Sequence, residues 1–203
     1  MPLLSIEKVR DDTRLAVWHI TESAEDFYHL FPHLQEHRKS LDLQHRLEIR
    51  KLEYLSVHAL LYLLTCDPSL AILHQSSGQP LLNNGKNISI SHTKGFVCIL
   101  LSDAHRVGID IEYRSNRVER VSSRFLRTDE VAPTTVMKLL HWSAKEAFYK
   151  LFSEDHLSSE DIKIIPFEYM SAATMTVAHV PRNISLDVSY RVTDEFVMTY
   201  CMF

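Results

Sequence analysis

The chain has 203 residues, of which 45% are hydrophobic and 24% are charged, values typical of a soluble globular protein. Its formal net charge of −4 at pH 7 provides no excess positive charge for nonspecific binding to nucleic acid, which argues mildly against a nuclease. No run approaches the roughly 20 apolar residues of a membrane span. The amino terminus lacks the pattern of a signal peptide, so we expect a cytoplasmic protein that binds neither membrane nor nucleic acid.

The first part of the chain is predicted to contain strands and one long helix. Hydrophobic residues recur with helical spacing from about residue 46 to residue 65, and Pro68 ends that helix. Gly, Pro and Asn residues predict turns at 76–80 and 83–86. Strands are predicted at 3–6, 15–20, 88–91 and 96–101.

The second part is predicted to repeat this mixture of strands and a helix. A strand is expected at 107–112, and a helix is expected from about residue 134 to residue 152. Three further strands are predicted at 175–179, 186–192 and 196–201.

Acidic residues of the 107–112 strand and of the second helix could form one site. Asp110 and Glu112 share a face of the strand, opposite two isoleucines, and Trp142, Glu146 and Lys150 form one stripe of the helix. Taken singly, the strand pair is typical of a solvated face, and Glu146 with Lys150 is an ordinary helix salt pair. Together they supply the carboxylates and the ammonium of a Mg²⁺ site that handles phosphate.

Four ordered blocks resemble the 4′-phosphopantetheinyl transferase superfamily, of the larger kind similar to surfactin-synthetase-activating enzymes. Gly-Ile-Asp-Ile-Glu at 108–112 and Trp-Ser-Ala-Lys-Glu-Ala-Phe-Tyr-Lys at 142–150 match its paired signature. Upstream, Gly-Gln-Pro at 78–80 and Ile-Ser-Ile-Ser-His-Thr at 88–93 match two weaker blocks.

The resemblance implies an α+β fold built as a pseudo-dimer. Two similar halves, each with a long helix packed on a small antiparallel sheet, would form the site in the cleft between them. Residues 1–105 would hold the nucleotide of coenzyme A, and residues 106–203 would hold the Mg²⁺ site and the catalytic motifs. A monomer is expected, because the two halves already make the cleft.

The resemblance also implies the reaction. The 4′-phosphopantetheine group of coenzyme A would pass to a serine hydroxyl of an apo acyl, peptidyl or aryl carrier protein, releasing 3′,5′-ADP. Asp110, Glu112 and Glu146 would hold Mg²⁺ on the diphosphate, and Lys150 would bind a phosphate oxygen. Either Glu146 or a water on the metal would take the serine proton, and the sequence does not choose between them.

The resemblance implies contacts to coenzyme A at five positions, namely Lys51, Gln79, Ser91, His92 and Lys150. Lys51, with Arg46 or Arg50 beside it, lies where the family places cations for the 3′-phosphate, although a solvated helix face explains it equally well. Gln79 and His58 depart from the family, which commonly has a basic residue at each position.

A row of arginines follows the acidic strand. Arg114, Arg117, Arg120, Arg124 and Arg127 would form one stripe if residues 115–127 were helical. A solvated basic face is the plain explanation. Because carrier proteins of this kind are acidic, we predict instead that Arg117, Arg120 and Arg124 dock the carrier protein.

Two other functions remain open at this point. A Mg²⁺-dependent phosphodiesterase or nuclease could use the same carboxylates with water as its nucleophile. A module that binds coenzyme A or a carrier protein without catalysis is the other alternative, although folding alone does not require all four of Asp110, Glu112, Glu146 and Lys150.

Overall fold

A computed structural model describes residues 3–44, 47–75 and 78–203. The α-helices in this part of the chain are α1 (Ala24–Leu30), α2 (Arg38–Gln44), α3 (Glu48–Thr65) and α4 (Thr135–Leu151). Short 3₁₀ helices span Pro32–His37, Asn116–Arg120, Ser122–Arg124 and Ser153–Asp155. Of the helices described, none has the length and apolar character needed to cross a membrane.

Eleven strands are present in the described residues. They are β1 (Leu3–Arg10), β2 (Thr13–His19), β3 (Ile72–His74), β4 (Pro80–Leu82), β5 (Asn87–Thr93), β6 (Phe96–Ser102), β7 (Val107–Tyr113), β8 (Ile162–Ile164), β9 (Ala172–His179), β10 (Ile184–Val192) and β11 (Phe196–Met202). The first sheet has the order β1-β2-β6-β5, the second has the order β7-β11-β10-β9-β8, and β3 pairs with β4. All pairings are antiparallel, so the predicted α+β class is confirmed.

The sheets and long helices stack as four layers. The outer face of the first sheet packs on α3, and the outer face of the second packs on α4. A third apolar cluster lies between the sheets, where Leu15 and Cys98 of the first meet Ile109, Ile111 and Met198 of the second. The strands alternate accordingly, because successive side chains point to opposite faces of a sheet.

The edge strand β7 of the second sheet also contacts one face of β5 in the first sheet, through side chains. Hydroxyl oxygens on one face of β5 accept hydrogen bonds from backbone amides of β7. The bonds run from Ile109 to Ser89, from Ile111 to Ser91 and from Tyr113 to Thr93, with lengths of 3.0, 3.4 and 3.0 Å. This hydroxyl seam satisfies the free edge of β7 and fixes its register against β5.

Most predicted elements overlap observed ones. The helix predicted at 46–65 is α3, and the one at 134–152 is α4, whose start is capped by the Thr134 side chain accepting from Met137 N. The strand pair at 88–91 and 96–101 is β5 and β6. Part of the turn predicted at 76–80 lies outside the described residues. That the halves are two similar domains divided near residue 105 stays a prediction.

The arginine stripe depended on one continuous helix over residues 115–127, and that prediction is wrong. Residues 116–124 form two 3₁₀ helices separated at Val121, with i to i+3 bonds such as Val121 N to Val118 O. Serine competes with the backbone for hydrogen bonds, and the Ser122 hydroxyl donates to the carbonyl of Glu119. Only Arg117 and Arg120 keep the spacing of one 3₁₀ turn.

Candidate functional site

Strand β7 presents its carboxylates to α4, as its alternation predicts. Ile109 and Ile111 are buried in the cluster between the sheets. Asp110 and Glu112 therefore point to the opposite face, where both contact side chains of α4.

Gly108 lets α4 lie directly against β7. A Cβ at this position would overlap the carbonyl oxygen of Ala147, so the backbone of the helix occupies the space that any other residue would need. The helix is thereby brought close enough for Trp142 Nε1 to donate to Glu112 Oε1 at 2.7 Å. At the other end, Lys150 Nζ donates to Asp110 Oδ1 at 2.9 Å.

Asp110 is the buried centre of the cluster, with 4% of its surface exposed. Its Oδ1 accepts from both Ser91 Oγ and Lys150 Nζ, each at 2.9 Å. Its Oδ2 is buried with no hydrogen-bond partner among the described residues. An unpaired buried carboxylate oxygen is costly, which marks this atom as one that a cation would satisfy.

The other two carboxylates hold their protons more tightly than usual. Burial, with the charge of Asp110 next, raises the pKa of Glu112 to about 7 against the opposing hydrogen bond from Trp142. Burial and then Asp110 also raise the pKa of Glu146. Three mutually repelling carboxylates are the electrostatic situation that a divalent cation relieves.

The carboxylates are not arranged as a complete set of metal ligands. No group of three or more His, Cys, Asp or Glu side chains in the described part of the chain is arranged to hold a metal ion. Lys150 and Trp142 instead occupy one oxygen each of Asp110 and Glu112. The hard oxygen donors still fit Mg²⁺, which commonly takes one or two carboxylates and completes its shell with water and substrate phosphate.

A cavity of about 550 Å³ adjoins this cluster and contains several residues expected to contact coenzyme A. Gln79, His92 and Lys150 line it. Ser91 does not line it, because its hydroxyl is bound to Asp110 on the far side of β5. The cavity is lined from both halves of the chain, and the Ser153 hydroxyl after α4 donates to Gln79 Oε1 at 2.8 Å.

Lys51 is not brought to this cavity. Its Nζ lies 2.6 Å from Asp42 Oδ1 and 3.8 Å from Glu48 Oε2, on the side of α3 that faces α2. Arg50 lines the cavity instead, since consecutive helical residues point about 100° apart. Arg46, the other cation considered, lies outside the described residues.

A shallow groove of about 700 Å³ lies on the other side of the carboxylates, with Glu112 and Trp142 in its wall. Arg117 and Arg120 line the groove, and Arg124 is exposed outside it. No carboxylate of the described residues pairs with these three arginines. The two ends of the former stripe are used differently: Arg114 contacts Asp194 and Arg127 contacts Asp129.

On the cavity face of α3, the sequence analysis named Arg50 and His58 but missed Glu53, Tyr54 and Val57. Arg50, Glu53, Tyr54, Val57 and His58 line the cavity at spacings of three, one, three and one, which is one face of a helix. That polar and aromatic stripe on an otherwise apolar helix was readable from the sequence.

The signature residue Lys145 serves a different purpose from its neighbour Glu146. Its Nζ lies 2.9 Å from Glu130 Oε2, and both side chains are almost fully buried. It also donates to the carbonyls of Phe125 and Ser159, so it ties loops to α4 and does not reach the carboxylate cluster.

Comparison with known proteins finds a family model that matches the segment containing the cluster. The family model described as the 4′-phosphopantetheinyl transferase superfamily matches residues 106–201. The matched segment includes Asp110, Glu112, Glu146 and Lys150. No curated protein matches the chain.

Proposed function

We propose, from the family match over residues 106–201 and the carboxylate cluster within it, that the protein is a 4′-phosphopantetheinyl transferase. Coenzyme A would be the donor and an apo acyl, peptidyl or aryl carrier protein the acceptor. The proposal rests on one observation: the cluster lies between a cavity and a basic groove. The cluster consists of Asp110, Glu112, Glu146 and Lys150. A donor and an acceptor can approach such a cluster from opposite sides.

In this proposal the serine Oγ of the carrier attacks the pantetheine-side phosphorus of the diphosphate. An O–P bond forms, the bond from that phosphorus to the bridging oxygen breaks, and 3′,5′-ADP leaves with the bridging oxygen. Mg²⁺, held by Asp110, Glu112 and Glu146, would neutralise the charge that develops on the diphosphate. Lys150, fixed by Asp110 Oδ1 and by the carbonyl of Ile109, would present its ammonium to a phosphate oxygen.

Glu146 is our choice for the group that accepts the serine proton. Burial and Asp110 raise the pKa of this carboxyl, which makes it a stronger base than an exposed glutamate. Glu112 is less suited, because one of its oxygens already accepts the Trp142 N–H. The Asp110 carboxylate is held by two donors and serves to orient Lys150.

The carrier protein would dock along the groove. Arg117, Arg120 and Arg124 carry unpaired guanidiniums on exposed 3₁₀ helices, and Val118, Leu139 and Trp142 contribute to the apolar contact surface. Positive charge around an apolar floor suits a small acidic helical domain. A cytoplasmic monomer of the surfactin-synthetase-activating type, built as a pseudo-dimer, is part of the same proposal.

Mass spectrometry of an apo carrier protein incubated with coenzyme A, Mg²⁺ and the protein tests the proposal. We expect a mass gain of one phosphopantetheine arm on the carrier and an equal amount of 3′,5′-ADP. Hydrolysis of coenzyme A or of nucleic acid without a carrier would favour the phosphodiesterase alternative. Binding of coenzyme A without either reaction would favour a noncatalytic module.

Asp110→Asn is the informative variant for this assay. Asn keeps an oxygen for Ser91 and Lys150 but removes the charge beside the unpaired Oδ2, so transfer should fall by about 100-fold or more while the fold persists. Glu195→Gln, the same class of change in the exposed turn before β11, should leave transfer unchanged. Near-normal transfer by Asp110→Asn with a native melting curve would remove Asp110 from the metal site.

A further inference from the structure

The end of the cavity away from Lys150 is built from ring surfaces and aliphatic side chains. Tyr54 and His58 of α3 stack with centroids 4.2 Å apart and an interplanar angle of 30°. Ile72, Ile88 and Ile90 line the same cavity from neighbouring strands. Flat rings and branched aliphatic groups suit a planar heteroaromatic base, and they offer nothing to a phosphate.

The guanidinium of Arg50, at this end of the cavity, is already paired with the carboxylate of Glu53. Arg50 Nη1 lies 2.8 Å from Glu53 Oε2, and the other oxygen of Glu53 lies 3.3 Å from His92 Nδ1. The Glu53 side chain is only 13% exposed, so solvent screens this pair weakly. A dianion brought to Arg50 would meet the carboxylate of Glu53 at the same time.

The other candidates that lie in the described part of the chain add little positive charge there. Burial lowers the pKa of His58 to about 4, so its ring is neutral at pH 7. Gln79 is a neutral amide that accepts a hydrogen bond from Ser153. Lys150 is engaged with Asp110, and Lys51 lies outside the cavity beside Asp42. The cavity is also lined by His74, His92 and His156, and His92 contacts Glu53. Of the described residues lining this end, Arg50 and Glu53 are the permanently charged ones, and their charges cancel.

We propose that this cavity recognises its donor by the base and the diphosphate and not by the 3′-phosphate, so that coenzyme A and 3′-dephospho-coenzyme A bind and react comparably. The inference rests on the proposed function for the transfer step. A phosphate monoester carries a charge of about −1.5 to −2 and needs several charge-assisted hydrogen bonds to gain affinity. The Arg50–Glu53 pair supplies no net charge for them.

Two measurements with the full chain and Mg²⁺ test the inference. Calorimetry gives the Kd of each nucleotide, and transfer assays give kcat/KM, with 3′,5′-ADP leaving from coenzyme A and 5′-AMP leaving from the dephospho form. We expect both ratios to lie within about threefold. A preference for coenzyme A of more than tenfold in Kd would overturn the inference.

The variant Glu53→Gln tests the cause. Removing the carboxylate charge frees Arg50, so the affinity for coenzyme A should rise about five- to tenfold relative to the dephospho form. The matched control is Glu48→Gln, which removes the same charge from the same helix at a residue paired with Lys51 outside the cavity. The control should leave the ratio as it was. If Glu53→Gln leaves the ratio of the two affinities unchanged, the 3′-phosphate does not lie beside Arg50, and the inference is wrong.

Failure of the transferase proposal is distinguishable from failure of this inference. Equal binding of both nucleotides without transfer to any carrier would support the inference and contradict the transferase. Transfer from coenzyme A alone would support the transferase and contradict the inference. If neither coenzyme A nor its dephospho form binds, the inference is wrong.

Discussion

At the scale of single residues, His58 should make the fold sensitive to mild acid. Its ring packs between Tyr54 and His37, and burial followed by the charges of His37 and His33 lowers the pKa of His58 to about 4. The unfolded chain takes up this proton near pH 6.5, whereas the folded chain resists it. Stability should therefore fall as the pH is lowered from about 6.5 to about 4, by about 3 kcal/mol from this residue.

Urea denaturation across that pH range measures the effect. Other groups titrate as well, so the quantity to compare is the difference between the protein and His58→Gln, which keeps a planar polar side chain but no titrating ring. The variant should lose less stability than the parent between pH 6.5 and pH 4. Parallel stability curves for the two proteins would contradict a neutral, buried His58.

Residues whose placement depends on local periodicity were predictable. Alternation on β7 predicted that Asp110 and Glu112 share a face, and the four-residue spacing on α4 predicted that Glu146 and Lys150 share a stripe, since each rule acts within one element. That the two would meet was expected from their combination and from the family resemblance. Lys51 and Arg50 show the limit of such reasoning. Which of the two faces the cavity depends on how α3 rotates against the sheet, and that rotation is fixed by contacts distant in sequence.

At the scale of elements, the contact between α4 and β7 depends on one missing side chain. Gly108→Ala would place a Cβ on the Ala147 carbonyl oxygen, so the helix must move outward. We expect a loss of about 3 kcal/mol or more in the free energy of unfolding, with a loss of transfer that stability alone does not explain. Chemical denaturation and activity at a temperature where the variant is folded measure the two effects.

Gly85→Ala is the control for a generic cost of losing glycine. Gly85 has φ of 81° and open space around its Cβ position, so its substitution strains the backbone without a clash. It should cost about 1 kcal/mol and spare activity. Full activity in Gly108→Ala would show that α4 can shift without disturbing the carboxylate cluster.

The buried pair of Lys145 and Glu130 fastens the loops before and after α4. Glu130 also accepts from the amides of Arg127 and Ile164, and all donors of Lys145 are used. Lys145→Met should cost about 3–5 kcal/mol, because it leaves the Glu130 carboxylate buried without a counter-charge. Differential scanning calorimetry measures the loss.

The double variant Lys145→Met with Glu130→Gln separates charge from packing. It should recover part of the stability, since the amide no longer needs a cation. An additive loss in the double variant would mean that the two side chains act independently.

Long, strongly periodic elements were predicted well, and short ones were missed. The limits of α3 and α4 were predicted to within about two residues. Helices α1 and α2 have seven residues each, too short for the pattern to stand out, although Ser23 and Asp26 form a capping box that marks the start of α1. Strand β8 has three residues and depends on pairing with β9.

At the scale of the whole molecule, the halves share an apolar core. Leu15 and Val17 of the first half are buried against Ile109, Ile111 and Met198 of the second. Residues 106–203 expressed alone would expose this face, so we expect them to bind a hydrophobic dye and to lack a cooperative thermal transition.

Addition of residues 1–105 in trans should restore a cooperative transition, because it covers the same surface. Circular dichroism melting of each piece and of the mixture measures this outcome. Cooperative unfolding of residues 106–203 by themselves would show instead that the half is an independent domain and that the shared cluster is a docking interface.

The hydroxyl seam gives the two halves a spectroscopic reporter. The amides of Ile109, Ile111 and Tyr113 donate to side-chain oxygens of the other half, at the strand that carries the carboxylates. Their exchange with deuterium therefore requires the halves to part, whereas the β7 amides that pair with β11 require the second sheet to open. The ratio of the two exchange rates measures how often the cleft opens, and a ligand that bridges the halves should slow the first set alone.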